Sequence, residues 1–300
     1  MQVQKLDTFG GHRDGVYALE TGAQPNQFFS AGADGLVVRW QLDRPDLGEL
    51  IARIPASVYA LAFDPVSGLL WVGQNYQGLH LIDPVSKQEI QSIKLTSSAI
   101  FDVKLYGQTA FVAMGDGVVA IVNTEPLVVR KYLKASDQSA RCVSINPVER
   151  EFCVGYSDNT VRIFDLETHE LKRVIPAHTN SVFTAVYSPD FRFLITGGRD
   201  AHLKTWDVEH NYALLHDVVA HLFTINHVTF SPDGQWLATA SMDKAVKIWD
   251  ADTLRLLKVV DRARHAGHAT SVNRLLWTDY HEKLLSASDD RTISVWQMTR

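Results

Sequence analysis

Four groups of residues carry the side chains of a hydrolytic triad at constant spacing. They are His12, Ser30, Asp34 and Trp40; His178, Thr196, Asp200 and Trp206; His221, Thr239, Asp243 and Trp249; and His268, Ser286, Asp290 and Trp296. In every group His precedes Trp by 28 positions, Asp precedes Trp by 6, and Asp follows the hydroxyl by 4. A hydroxyl, an imidazole and a carboxylate are the parts of nucleophilic catalysis: the imidazole takes the hydroxyl proton and the carboxylate orients the imidazole. An active site needs one such set. Four copies at a regular interval point instead to a structural unit used repeatedly.

The elements around these sets repeat as well. VFTAVYSPDFRFLITGGRDAHLKTWD, INHVTFSPDGQWLATASMDKAVKIWD and VNRLLWTDYHEKLLSASDDRTISVWQ share one pattern. Each holds a short alternating strand, a turn, a second strand ending in small residues, an Asp-led turn, and a third strand closing on Trp. Short strands with turn signals at this spacing read as all-β. Trp40, Trp206, Trp249 and Trp296 fix the period, and Ile82, Val122 and Phe164 hold the equivalent positions between them. The third strands thus end near 40, 82, 122, 164, 206, 249 and 296, with gaps of 40 to 47 residues. Seven units fill residues 1–300 as a single domain.

These residues resemble the WD-repeat family over essentially the whole chain, most closely in repeats one, five, six and seven. The resemblance implies a seven-bladed β-propeller with four antiparallel strands per blade around a central channel. The last repeat stops after its third strand, and Val3–Phe9 precedes the first complete repeat. The family implies that such a segment supplies the missing outer strand of the last blade and closes the ring, sparing an unpaired edge. It also gives the polar sets a structural role. Asp accepts from His, and the hydroxyl links His to the indole N–H, so that buried polar groups are satisfied. Repeats two to four depart from this. Ile54, Thr96 and Ser136 stand at the His sites; Leu70 or Val72, Val112 and Val154 at the hydroxyl sites; Asp116 and Asp158 persist, and Tyr76 replaces Asp. Either these repeats have drifted toward ordinary packing, or this arc is adapted to a partner.

WD-repeat proteins often bind peptides at one channel mouth. Transferred position by position, that rule places Tyr17, Tyr59, Phe101, Arg141, Phe183, Asn226 and Asn273 in a first ring. Ala33, Asn75, Gly115, Ser157, Arg199, Met242 and Asp289 form a second. Aromatic and Arg side chains are the usual anchors of interfaces. The alternative is that the aromatics turn inward and pack between blades. An insertion before His268 contributes Arg262, Arg264 and His265. With Arg141 and Arg199 it would favour an acidic or phosphorylated segment; otherwise it is a solvated loop.

Bulk properties bound the alternatives. The net charge of −5 gives no electrostatic footprint for nucleic acid. No apolar run is long enough to span a bilayer, and the N-terminus lacks a signal-peptide pattern, so the expectation is a cytoplasmic protein. Cys142 and Cys153 read as two buried small hydrophobes, or as a reversible disulfide across neighbouring strands. The 12 His residues show no metal-ligand spacing, and no Gly-rich phosphate loop is present; no cofactor is expected. The leading expectation is a non-catalytic scaffold, a monomeric propeller within a larger complex, that binds protein or peptide at the channel mouth. The alternative is a propeller hydrolase or lyase, which requires a single asymmetric acid–base or metal cluster at the channel; the sequence shows none.

Overall fold

The computed structural model describes residues 1–299. It contains seven separate four-stranded antiparallel sheets, six of them built from four consecutive strands. The seventh is completed by the strand Gln2–Phe9, which pairs with Ile293–Thr299 so that Val3 faces Met298 and Phe9 faces Ile293. The ring is therefore closed by the two ends of the chain, as expected, with the closing strand starting one residue earlier than Val3.

The strands are short runs of β-branched and aromatic residues, a composition that suits a pleated, buried surface. The inner strands are Val16–Thr21, Val58–Phe63, Ile100–Tyr106, Ala140–Asn146, Val182–Tyr187, Ile225–Phe230 and Val272–Trp277. Each touches the inner strand of the next blade, and the seventh returns to the first. The second strands are almost wholly buried, whereas outer strands such as Gln88–Lys94 face solvent.

Apolar side chains gather between blades rather than within them. Phe29, Ala31 and Val37 of blade one pack with Leu61, Leu70 and Val72 of blade two; Phe111 and Ile121 of blade three pack with Phe152 and Phe164 of blade four. The closing strand reaches two such cores. Phe9 enters the one between blades seven and one, and Met1 and Val3 cover the one between blades six and seven. Full burial of a large apolar side chain stabilises by about 1.5–3 kcal/mol, and here each blade gains that only with its neighbours in place.

Pairing settles the register left open in repeat two. Val72 faces Leu61 and His80 as Ser30 faces Leu19 and Val38, so Val72, not Leu70, stands at the hydroxyl site. Cys142 faces Gly155 and Cys153 faces Ser144, an offset of two residues across adjacent strands. Both thiols are free and buried. Burial pushes Cys142 up to about 12 and Cys153 well above its ordinary value, which keeps both protonated.

Candidate binding site at the channel mouth

The inner strand of every blade opens with the same irregularity. Pairing with the second strand skips one residue, leaving Tyr17, Tyr59, Phe101, Arg141, Phe183, Asn226 or Asn273 without a partner. A β-bulge of this kind turns the extra side chain out of the pleat. All seven side chains, joined by Arg274, line one cavity of about 240 Å³.

The bulge residues of blades one to five form a continuous stack. Ring centres lie 4.9 Å apart for Tyr17 and Tyr59 and 5.8 Å for Tyr59 and Phe101. The Arg141 guanidinium sits 4.3 Å from the Phe101 ring centre and 4.8 Å from that of Phe183. These side chains are half-buried and lie outside the cores between blades, against the alternative that they turn inward. Desolvation and the Asp289 carboxylate push the Tyr17 phenol up to about 12. Asn226 and Asn273 serve differently. Asn226 donates to Ser271 Oγ (3.0 Å) and the Val272 carbonyl (2.8 Å), and Asn273 to the Val16 carbonyl (3.1 Å) and Asp289 (2.7 Å). Three of these four bonds tie blades six, seven and one together, and the bond to Asp289 stays within blade seven.

The second ring is less uniform than the sequence implied. The backbone N–H of Ala33, Gly115, Ser157, Arg199, Met242 and Asp289 donates to the carbonyl just before its own inner strand, at 2.8 to 3.1 Å. Blade two differs: Asn75 is 2% exposed, with its side-chain oxygen accepting from Ile100 N–H at 2.8 Å. It belongs to the wall between blades two and three, not to the mouth. Tyr76 takes the exposed place beside Tyr59, with φ +69. In the sequence it registers only as a lost Asp. Arg199 and Met242 are exposed but do not line the cavity; Met242 stands next to exposed Leu222 and Phe223.

The insertion does not join the mouth. Residues Arg262–His265 form one short helical turn capped by Asp261. It packs against the closing strand, where Lys5 Nζ donates to the Ala266 carbonyl at 2.9 Å, at the outer circumference between blades six and seven. Arg264 is held by Asp261 at 2.6 and 2.9 Å. The expected joint action with Arg141 and Arg199 fails because the insertion follows an outer strand, while Arg141 lies on an inner one.

The four polar sets close as continuous hydrogen-bond chains. The indoles of Trp40, Trp206, Trp249 and Trp296 donate to Ser30, Thr196, Thr239 and Ser286 at 2.7 to 3.0 Å. Those hydroxyls lie 2.7 to 2.9 Å from Nε2 of His12, His178, His221 and His268. Each Nδ1 faces its Asp at 2.8 to 3.1 Å. With the hydroxyl oxygen accepting from the indole, its proton goes to Nε2, so the imidazole carries its own proton on Nδ1 toward Asp. Burial lowers His12 and His221 despite the pull of Asp34 and Asp243. Burial raises Asp243, but the bond and charge of His221 together with the N–H groups of Leu222 and Ala245 outweigh it and hold the carboxyl at about 2; Asp200 and Asp290 fall well below the usual range through the corresponding sets of bonds.

Blades three and four keep part of this chain with shorter side chains. Thr96 Oγ1 donates to Asp116 at 2.9 Å and Ser136 Oγ to Asp158 at 2.7 Å. Arg162 adds a bond to Asp158 at 2.7 Å. The hydroxyl sites Val72, Val112 and Val154 are fully buried. The departures are therefore coordinated: where the hydroxyl site becomes apolar, the bridging imidazole is gone too.

Below the mouth a second cavity of about 240 Å³ continues into the channel, sharing Arg141, Phe183 and Arg274 with the first. Glu20, Asp102, Lys104 and His227 also line it, a charged cluster that the sequence reading did not find. Two of these groups join blades. Asp102 accepts from Val143 N–H at 2.9 Å, and His227 Nδ1 accepts from Leu275 N–H at 3.3 Å. Burial, with the Arg274 and Lys104 charges, holds His227 well below its ordinary value, and desolvation raises Glu20. Among the described residues, no group of three or more His, Cys, Asp or Glu side chains is placed to hold a metal, and no helix is long and apolar enough to cross a membrane.

Seven closed sheets, a repeated His–hydroxyl–Trp chain and a mouth ringed by bulge residues define a repeat propeller. The WD domain, G-beta repeat model matches residues 3–41, 128–165, 169–207, 213–250 and 261–297, and the chain belongs to this family. The long unmatched stretch, residues 42–127, covers blades two and three, whose polar sets are incomplete, while blade four, also incomplete, is matched. Among curated proteins it is similar to THO complex subunit 6 homolog of Danio rerio, 23% identical over 52% of this chain and 54% of that protein. It is also similar to pre-mRNA-processing factor 17 of Saccharomyces cerevisiae, 25% identical over 67% of this chain and 47% of that one. The chain thus spans about half the length of these relatives, and 7% of human WD repeat-containing protein 3. The WD40 propeller domain of Doa1 superimposes with a TM-score of 0.87 at 16% identity, covering 99% of this chain and 98% of that one. At that identity the likeness is one of fold.

Proposed function

We propose that the chain is a non-catalytic protein-interaction scaffold whose channel mouth receives a segment of a partner protein. The observation that carries this reading is the convergence of seven bulge side chains on one cavity, five of them joined in an aromatic–Arg stack. A clustered, partly exposed set of aromatic anchors is the composition of an interface centre. The polar sets support a structural role for the only repeated Ser/Thr–His–Asp chemistry, because each hydroxyl is already engaged by an indole. Relatives named as a complex subunit and a pre-mRNA-processing factor support a role inside a larger assembly.

The test compares wild type with Tyr59→Ala plus Phe101→Ala, checked for equal melting temperature. Proteins recovered by the wild type are identified and rebuilt with it from purified components. The expected result is a direct complex that the double variant loses. Equal recovery by both forms removes the mouth as the site.

A further inference from the structure

Arg141 is an unusual guanidinium. It is half-buried and clasped between the Phe101 and Phe183 rings at 4.3 and 4.8 Å. Its hydrogen bond is from Nε to Ser157 Oγ, at 2.9 Å. Among the described residues, no carboxylate pairs with it. A charge partly withdrawn from solvent has lost some of its hydration, and a counter-charge compensates that loss. Arg274, which lines the same cavity, has a carboxylate at 3.9 Å, Asp102 Oδ1, beyond hydrogen-bond length. Lys104 stands 3.7 Å from that same oxygen. Both cations approach one oxygen, which also accepts from Val103 N–H at 3.1 Å, while the other Asp102 oxygen is occupied by Val143 N–H. Glu20, deeper in the channel, is the further carboxylate acting on Lys104 and Arg274, and neither acts on Arg141.

On this basis, and resting on the mouth being the docking site, we infer that the partner segment inserts an acidic side chain into the mouth cavity to pair with Arg141 and Arg274. Aromatic faces gathered around a cavity are a setting for binding a cation, but here the two Phe faces already hold Arg141, and a second positive charge is repelled. A carboxylate supplies what is missing: a planar, bidentate acceptor for a guanidinium fork already fixed by stacking and by Ser157. The aromatic stack from Tyr17 to Phe101 then covers the apolar residues flanking the acid. The carboxylates at the opposite rim are Asp289, held by Asn273 at 2.7 Å on the blade-seven side, and Asp14, both of which act on Tyr17. The acidic side chain is thereby directed to the blade-four side of the mouth.

Displayed random short peptides are selected on the purified full chain, and enriched sequences are made as fluorescent synthetic peptides. The expected result is an Asp or Glu enriched at one position beside apolar residues, with affinity lost in the Tyr59→Ala plus Phe101→Ala variant. Arg141→Gln, or the amide in place of the peptide's acid, then weakens binding by about tenfold or more. The two changes together weaken it hardly more than either alone, and Arg141→Lys restores part of it. Circular dichroism melting confirms that the Arg141 variants fold. Mouth-dependent peptides without an enriched acid, or unchanged by Arg141→Gln, overturn this inference and leave the mouth as a docking site. Peptides indifferent to the Tyr59/Phe101 variant, or no enrichment over a control without the chain, overturn both.

Discussion

The Phe9 ring meets the Trp40 indole edge to face, with centres 5.5 Å apart and planes at 84°. The last residue of the closing strand thus packs on the penultimate residue of the third strand of blade one, Leu36–Gln41. Phe28 joins them at 5.3 Å from Phe9. The closing strand supplies backbone pairing to blade seven and an aromatic contact to blade one, so it fastens the ring through two kinds of interaction.

Phe9→Ala is expected to destabilise the chain by about 3–5 kcal/mol, the usual cost of emptying an aromatic core site. Deleting residues 1–9 removes the pairing as well and should lower the melting temperature further. Thermal unfolding followed by circular dichroism reads both. A deletion variant that melts with the wild type would refute closure as a source of stability.

Asp243→Ala leaves the His221 Nδ1–H and the backbone N–H groups of Leu222 and Ala245 without their acceptor. The buried His221 Nδ1–H left without a partner costs about 1–3 kcal/mol, whereas the Leu222 N–H is exposed and turns to water. The expected outcome is a urea midpoint shifted by that order, with peptide binding at the mouth unchanged. Loss of binding at constant stability would show that the Asp serves the surface instead.

Acidification should weaken the fold in two stages. His12 and His221 have folded values below the unfolded value of about 6.5. The unfolded chain therefore binds more protons just below that pH, and the stability present above it declines as pH falls. Asp200, Asp243 and Asp290 are also depressed. Their contribution is present above an unfolded value of about 4 and disappears as pH falls through the folded values, about 2 for Asp243. Denaturant midpoints measured across pH should drop first below about 6.5 and again below about 4. A midpoint that rises between neutral and mildly acid pH contradicts this.

Lys244 follows the turn Asp of blade six with φ +75, where blade one has Gly35 at +67. An L side chain in this left-handed region costs on the order of 1 kcal/mol. Lys244→Gly should therefore stabilise slightly, by up to about 1 kcal/mol after the entropy of the unfolded chain is counted. A lower melting temperature for the variant would mean that the Lys244 stem makes contacts worth more than the strain.

The amino-acid sequence alone determined the repeat, the number of units and the four polar sets. Each follows from local alternation or from fixed spacing along the chain, as with Asp243 six residues before Trp249. The family resemblance supplied the closing segment, the structural role of the polar sets and the seven mouth positions. What brings them together is pairing: the one-residue slip that frees Tyr59 from its strand exists only once Val58 and Ala60 have met Gln74 and Gly73. Tertiary structure likewise moved Asn75 into a wall, turned Tyr76 outward, carried Arg264 to the outer rim and gathered Glu20, Asp102, Lys104 and His227 in the channel. These residues are far apart in the chain or governed by a neighbouring blade. Their surroundings form only when seven sheets, none able to bury its own faces, close on one another.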